Sequence, residues 1–204
     1  MSGKTPENDG IPVEVIKCAK GTLLKVLHEI CCQCWREREV LQDMRDANIV
    51  TLYKNKGDRG NCNNYHGISL LNIVGKLFAK VVLMKLRVLA ERIYPESQCG
   101  FRAKSATIDM IFSIRQPRKM QRAGKATYVA FIDLTNAFDL VSRDGLFKIL
   151  AKIGYPPIQL SIVKSFHDNM KGTVLYDGVT SDHINIFSGV KQGCTLLESN
   201  LPHF

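Results

Sequence analysis

The stretch YVAFIDLTNAFD, from Tyr128 to Asp139, decides the fold that this sequence predicts. Its first seven residues, Tyr128 to Leu134, are apolar except for Asp133, and polar residues bound them on both sides. Such a short apolar run is typical of a strand buried on both faces of a sheet. A buried carboxylate needs a metal ion, an arginine or backbone N–H groups to neutralise it. Asp133 is therefore a candidate metal ligand, and the alternative is a cap of the helix beginning near Ala137.

The rest of the sequence predicts helices and strands on both sides of this segment. Apolar residues at helical spacing predict helices over residues 13–38, 72–93, 107–115, 143–153 and 158–170. Pro117 should end or kink the third of these helices, and the GYPP sequence at 154–157 separates the last two. Residues 47–55 predict a strand, residues 56–67 a loop, and the segments 172–178 and 182–189 a hairpin around Asp177 and Gly178. This order predicts an α+β fold with helices packed on one face of an antiparallel sheet.

Composition limits the classes of protein and partner. The chain has 204 residues, is 45% hydrophobic and carries a net charge of +9. This charge is typical of a protein with a polyanionic partner such as nucleic acid and equally of a merely basic soluble protein. Seven cysteines and no apolar leader favour an intracellular location, nuclear or cytoplasmic, over secretion. The most apolar stretch, Leu77 to Ile93, is interrupted by charges at amphipathic spacing, so no membrane partner is expected. The cluster of Cys31, Cys32 and Cys34 could indicate a zinc site. The sequence favours instead that these cysteines are small, half-buried residues of a helix.

Five segments carry a resemblance to a known family. FIDLTNAFD, from Phe131, resembles the first catalytic motif of reverse transcriptases of non-LTR, LINE-type retrotransposons, in which an Asp, three residues and Ala-Phe-Asp recur. Four others match family motifs in the family's order: GKTPENDGIP from Gly3, NYHGISLLNIVGKLFAK from Asn64, QCGFR from Gln98 and SGVKQG from Ser188. The resemblance implies an RNA-directed DNA polymerase with a right-hand fold. Residues 1–125 would be its fingers-like region and residues 126–204 a partial palm, without a thumb.

The resemblance also implies roles for individual residues. Nucleotidyl transfer in this family uses two Mg²⁺ ions, and Asp133 and the backbone carbonyl of Leu134 would be metal ligands. Phe138 would exclude a 2′-hydroxyl and so select deoxynucleotides. The other residues that would meet the incoming nucleotide are Lys54, Lys56, His66, Gln192 and Gly193. The implied partners are an RNA template, a DNA primer and deoxynucleoside triphosphates.

Departures from the family pattern lower the expected activity. His66 stands where the family usually has an arginine that clamps the triphosphate, so nucleotide affinity should fall. The match fails after Gly193, and the sequence ends at Phe204 before the paired aspartates that supply the remaining metal ligands. We therefore expect an inactive, partial reverse transcriptase domain whose Asp133 strand is an exposed edge. The alternatives are a non-catalytic RNA-binding or interaction module, and an unrelated basic domain that matches incidentally.

Overall fold

The computed structural model describes residues 11, 13–18, 20–90, 99–100, 106–122, 128–134 and 137–191. In these ranges, three helices precede the first strand: α1 spans Val13–Lys17, α2 spans Thr22–Glu37 and α3 spans Gln42–Arg45. The single helix predicted over 13–38 is interrupted at Gly21, whose φ of 63° is outside the helical region. Glycine adopts this conformation without steric cost, which explains where the helix breaks.

Within the described part of the chain, five strands form one mixed sheet: β1 (Ala47–Tyr53), β2 (Tyr65–Leu71), β3 (Lys171–Tyr176), β4 (Val179–Thr180) and β5 (Ile184–Asn185). The order is β2-β1-β3-β4, and β5 also pairs with β3. β1 is antiparallel to β2 but parallel to β3, so the prediction of an antiparallel sheet is wrong in this respect. The helices between β1 and β3 provide the long crossover that parallel strands require.

Strand β2 was absent from the prediction, which placed a loop up to Gly67. Tyr65 lies directly opposite Tyr53 and Leu71 opposite Ala47, so the polar residues at the start of β2 are strand residues because they pair with β1. The predicted hairpin is confirmed: Asp177 and Gly178 have φ values of 49° and 78° and connect β3 to β4. Two positive φ values are what the tight turn between these strands requires.

Four helices complete the described elements: α4 (Ile73–Ala90), α5 (Thr107–Arg122), α6 (Arg143–Ile153) and α7 (Pro157–Ser165). The predicted bounds of α6 are confirmed, since Ser142 caps its start and Gly154, with φ 95°, ends it. Pro117 does not end α5, as one form of the prediction had it, because good helix-forming residues follow it and the helix continues to Arg122. A kink at Pro117 stays a prediction. Within the described residues, no helix is both long and apolar enough to span a membrane.

One hydrophobic core joins the two regions that the sequence analysis distinguished. Phe78 of α4 and Phe166, just after α7, are each 1% exposed, and their ring centroids are 6.0 Å apart. The hydroxyl of Ser165 accepts a hydrogen bond of 2.9 Å from the backbone N–H of Val40. Other buried members include Cys34, Val82, Leu86, Leu146, Leu150 and Ile162. The core therefore holds α2, α4, α6 and α7 together behind the sheet.

The segment Tyr128 to Leu134 is not the buried strand that the sequence predicts. It has no strand conformation, and Tyr128 is 96% and Ile132 84% exposed. A strand buried on both faces needs hydrogen-bonded neighbours and packing layers. Within the described part of the chain, no strand pairs with this segment. The expectation of an exposed edge strand is therefore wrong as well, because the segment is exposed but forms no strand.

Candidate functional site

A cavity of about 250 Å³ lies between one face of the sheet and two loops. Ile49 of β1 and Gly67 and Ser69 of β2 form the sheet side. The loop side includes Asp139, Ser188, Gly189, Val190 and Lys191, and Met170 and Ile186 complete the lining. The cavity thus brings together parts of three segments that the sequence analysis matched to family motifs: FIDLTNAFD, NYHGISLLNIVGKLFAK and SGVKQG.

The two loops of this cavity are hydrogen-bonded to each other. The backbone N–H of Val190 donates to the carbonyl of Phe138 at 2.8 Å, and that of Gly189 donates to the carbonyl of Val141 at 3.1 Å. The hydroxyl of Ser188 donates a longer bond, 3.5 Å, to the carbonyl of Asp139. Because Val190 is also 4% exposed and part of the core, the loop pair is anchored to the interior of the protein.

Gly189 allows the closest approach between the loops. Its φ is 75°, and a Cβ at this position would lie 2.6 Å from the carbonyl oxygen and 2.8 Å from the Cα of Asp139. Both contacts are with backbone, which cannot swing away as a flexible side chain would. Glycine is therefore required here both by conformation and by space. The Ser-Gly pair in SGVKQG was the sequence signal for this contact.

Arg143 fixes the loop pair from the first turn of α6. Its guanidinium donates to the carbonyls of Gly189 at 2.8 Å, Ser188 at 3.1 Å and His167 at 2.7 Å. Partial burial lowers the pKa of Arg143, and the nearby carboxylate of Asp168 opposes this shift. No motif in the sequence pointed to Arg143. The available signal was a cation in the first turn of a helix, where the helix dipole disfavours positive charge and a compensating role is expected.

Lys191 and Arg45 are two buried cations whose contact joins the cavity to α3. Lys191 is 3% exposed, and its ammonium donates to the backbone carbonyl of Arg45. The Arg45 guanidinium donates to the carbonyl of Val40 at 2.6 and 2.9 Å and to the carboxylate of Glu39 at 2.5 Å. Buried cations need such acceptors to offset desolvation. Lys191 therefore connects the SGVKQG segment to α3 as well as lining the cavity.

His167 is a neutral, fully buried side chain next to Arg143. The pKa of His167 is lowered to about 4, mainly by burial and in smaller part by the charges of Lys191 and Arg143, and the hydrogen bond to Val163 opposes this shift. The Nδ1–H donates to the carbonyl of Val163 at 2.9 Å. Within the described residues, the Nε2 of His167 has no hydrogen-bond partner. The imidazole is thus uncharged at neutral pH.

The predicted site residues lie in several different environments. Asp133 and Leu134 are in the exposed segment upstream of the loop pair, so Asp133 is not at the end of a buried strand. Phe138 is half-buried and packs against the hydrophobic core, with its carbonyl bound to Val190. Gln192 and Gly193 lie outside the described residues.

The residues predicted to contact the triphosphate lie on or next to the connection between β1 and β2. Lys54 and Lys56 are exposed, and the ammonium of Lys54 donates to the carbonyl of Asn63 at 2.8 Å. His66 is exposed and alternates with Gly67, which lines the cavity, so it points to the opposite face of the sheet. Leu70, which shares the orientation of His66, lines a separate cavity of about 300 Å³ on that face.

The described residues do not form a complete divalent-metal site. Among them, no group of three His, Cys, Asp or Glu side chains is close enough to hold a metal ion. Asp133 is exposed. Cys31 is half-buried and Cys34 is buried, and burial raises the pKa of both thiols, so neither is predisposed to be a thiolate ligand.

Comparison with known proteins identifies the family. Residues 53–196 match the family described as "Reverse transcriptase (RNA-dependent DNA polymerase)". The RNA-directed DNA polymerase from mobile element jockey of Drosophila melanogaster is 30% identical over 155 residues, which is 74% of this chain and 17% of that protein. The Transposon TX1 uncharacterized 149 kDa protein of Xenopus laevis is 27% identical over 196 residues, 95% of this chain and 15% of that protein.

A third relative, the probable RNA-directed DNA polymerase from transposon X-element of Drosophila melanogaster, is 28% identical over 136 residues, 65% of this chain and 15% of that protein. The chain thus spans about a sixth of the length of the curated relatives it matches. The family match covers the two site loops, Asp133 and every residue that lines the cavity except Ile49. The resemblance inferred from the five motifs is confirmed, and the chain belongs to the reverse transcriptase family in its non-LTR retrotransposon branch.

Proposed function

We propose that this chain is part of an RNA-templated DNA polymerase and that the cavity between the sheet and the loop pair is part of its deoxynucleotide pocket. The observation that carries the proposal is the contact between FIDLTNAFD and SGVKQG: the N–H of Val190 donates to the carbonyl of Phe138, and the hydroxyl of Ser188 donates to that of Asp139. Gly67 and Ser69, from the NYHGISLLNIVGKLFAK segment, face these loops across the cavity. Residues 1–125 would then act as fingers and residues 126–204 as part of the palm.

Individual roles follow from this proposal. Asp133 is the metal-binding carboxylate that the chain contributes, with the carbonyl of Leu134, and Phe138 selects against a 2′-hydroxyl. Lys54, Lys56, Gln192 and Gly193 are the proposed contacts to the nucleotide. His66, which the resemblance also implied, points to the other face of the sheet and does not contact a nucleotide in this cavity. Reverse transcriptases generally use divalent metal ions, and Mg²⁺ is the ion proposed here. RNA template, DNA primer and deoxynucleoside triphosphates are the proposed partners.

The 204 residues alone are proposed to be inactive. Two-metal phosphoryl transfer needs carboxylates from separate strands, and the described residues bring no such group together around Asp133. A non-catalytic RNA-binding module is the second candidate function. The net charge of +9 and the exposed cations Lys54, Lys56 and Arg59 around one connection favour it as a specific alternative.

A chimera separates the two functions. The matching 155 residues of the jockey polymerase would be replaced by those of this chain, and incorporation of deoxynucleotides measured on an RNA template with a DNA primer. We expect incorporation by the chimera, its loss in Asp133→Asn, and its retention in the matched control Asp182→Asn, an exposed Asp before β5. A folded chimera without incorporation, beside an active parent, would support the binding module instead. Incorporation by the 204 residues alone, abolished by Asp133→Asn, would overturn the proposed inactivity.

A further inference from the structure

A further cavity, of about 430 Å³, lies between the first two turns of α6, the connection from α7 to β3 and the end of β5. We call it the α6 cavity. Its volume is within the range of about 300–1,000 Å³ that is usual for sites of small organic molecules. It has only Met170 and Ile186 in common with the lining of the proposed deoxynucleotide pocket. A ligand in the α6 cavity would therefore contact a different set of side chains.

The buried part of the lining is mostly apolar and aromatic. Phe147, His167 and Met170 are buried, and the rings of Phe147 and His167 meet edge-on with their centroids 6.2 Å apart. Ile186 is half-buried, whereas the ring of Phe187 lines the cavity while 84% exposed. Aromatic side chains contact other rings favourably, both face to face with an offset and edge to face. The lining is therefore suited to a ligand that is itself a flat ring.

His167 presents a buried hydrogen-bond acceptor to this cavity. Its Nδ1 is 2.9 Å from the carbonyl of Val163 in α7. A carbonyl can only accept, so Nδ1 carries the proton and Nε2 of the neutral ring keeps its lone pair. That lone pair points nearly opposite to the Nδ1–H bond and therefore away from α7. Within the described residues no group donates to Nε2, and Arg143, which lines the same cavity, donates instead to three backbone carbonyls.

The charges that line the α6 cavity balance. Arg143 and Lys171 supply two positive charges, and Asp144 and Asp168 supply two negative charges. A ligand with a large net charge of either sign would meet as much repulsion as attraction here. An uncharged ligand is therefore favoured over a polyanion such as a triphosphate.

We propose that the α6 cavity binds an uncharged, flat aromatic heterocycle that carries an N–H donor. The N–H of the ligand donates to Nε2 of His167, and its ring packs against Phe147 and Phe187. An aromatic hydrocarbon would fill the same space but would leave the buried acceptor unpaired, which costs free energy. An ionised carboxylate has no proton to donate, and an ammonium would bring a charge that the apolar lining does not compensate. The proposal concerns binding alone and does not depend on the polymerase function.

Indole and 1-methylindole test the proposal, because they differ only in the methyl group that replaces the donor hydrogen. Their affinities for the intact chain are measured by nuclear magnetic resonance titration. We expect indole to bind about tenfold more tightly, as the loss of one hydrogen bond to a buried acceptor predicts. In protein labelled with ¹⁵N, indole should also shift the Nε2 resonance of His167 in the direction of an accepted hydrogen bond. 1-Methylindole should not produce this shift.

Two variants remove one contact each. Phe187→Ala should weaken indole binding severalfold, whereas its matched control Phe112→Ala, which removes an exposed ring from α5, should leave the affinity unchanged. His167→Phe retains a ring but removes the acceptor, so indole and 1-methylindole should bind this variant equally. Circular dichroism melts show whether each variant is folded. If His167→Phe does not fold, the two ligands on the intact chain and the Phe187→Ala variant still decide the question.

Equal affinities of the intact chain for indole and 1-methylindole would overturn the proposal. An unchanged indole affinity in Phe187→Ala would overturn it as well. So would an Nε2 resonance that does not move at saturating indole, since Nε2 would then be satisfied by water. The titrations contain no RNA, primer or nucleotide, so their failure leaves the polymerase proposal standing. Conversely, an inactive chimera leaves the ligand site untouched.

Discussion

Gly189→Ala should destabilise the protein because it places a methyl group inside the contact between the two site loops. The new Cβ would lie 2.6 Å from the carbonyl oxygen of Asp139 and 2.8 Å from its Cα. Alanine also has to adopt the φ of 75° that Gly189 has. Both consequences affect the same backbone, which is held by hydrogen bonds from Gly189 to Val141 and from Val190 to Phe138. The loops must therefore separate or the chain must carry the strain.

Two contributions give the expected magnitude. A non-glycine residue in the left-handed region costs about 1–2 kcal/mol. Overpacking against atoms that cannot move costs roughly another 1–3 kcal/mol. Gly189→Ala should thus lower the free energy of unfolding by about 2–5 kcal/mol, measured by urea denaturation followed by circular dichroism. A small domain with ordinary stability would lose a large part of its total.

Gly178→Ala is the matched control. Gly178 has φ 78° in the β3–β4 turn, and no described atom lies within 4 Å of a Cβ built there. This variant therefore carries the conformational cost without the clash, and it should lose only about 1–2 kcal/mol. The difference between the two variants measures the close approach of the loops. If Gly189→Ala were no more destabilising than Gly178→Ala, the contact between Gly189 and Asp139 would not exist as described.

Three further predictions concern the surroundings of the site. Because the folded-state pKa of His167, about 4, is below its usual value of 6.5, the unfolded chain binds more protons between these values. Stability should fall by about 2 kcal/mol between roughly pH 7.5 and 5. The urea midpoint of His167→Gln should therefore depend less on pH than that of the original protein. An unchanged pH dependence would contradict the burial of His167. Arg143→Lys cannot reach three carbonyls at once and should cost about 2–3 kcal/mol in thermal melts. Arg115→Lys, on an exposed part of α5, serves as its control, and equal losses would refute the role of Arg143. Ile132→Lys should leave stability within about 0.5 kcal/mol and reduce self-association in light scattering, because Ile132 is 84% exposed. Unfolding of this variant would show instead that Ile132 belongs to a buried strand.

The sequence predicted the elements whose signals are local. Helix α6 has a serine cap at Ser142 and a glycine at its end, and the Asp177-Gly178 turn contains both residues that its conformation needs. These signals act between neighbours in the chain, so their outcome does not depend on the rest of the fold. The same holds for the motifs that identified the family.

Elements that depend on distant partners were harder to predict. β2 contains polar residues and is a strand because β1 lies beside it. Conversely, Tyr128 to Leu134 has the composition of a buried strand but lacks a neighbour within the described residues. At the site, SGVKQG and FIDLTNAFD were expected from the family pattern. The role of Arg143 between them was not expected. Its guanidinium binds three backbone carbonyls, and backbone carbonyls leave no signature in a sequence.

The parallel pairing of β1 with β3 has a consequence for how the chain folds. Ala47 and Gly172 are paired although 125 positions separate them in the sequence, and the N–H of Lys171 donates to the carboxylate of Asp46 across the same distance. During synthesis, β1 and β2 can form their hairpin long before β3 leaves the ribosome. One edge of β1 then remains unpaired until β3 is made. Contacts between residues so far apart in the sequence form slowly. The nascent hairpin is thus the stage at which a chaperone, or a second nascent chain, would compete with β3 for β1.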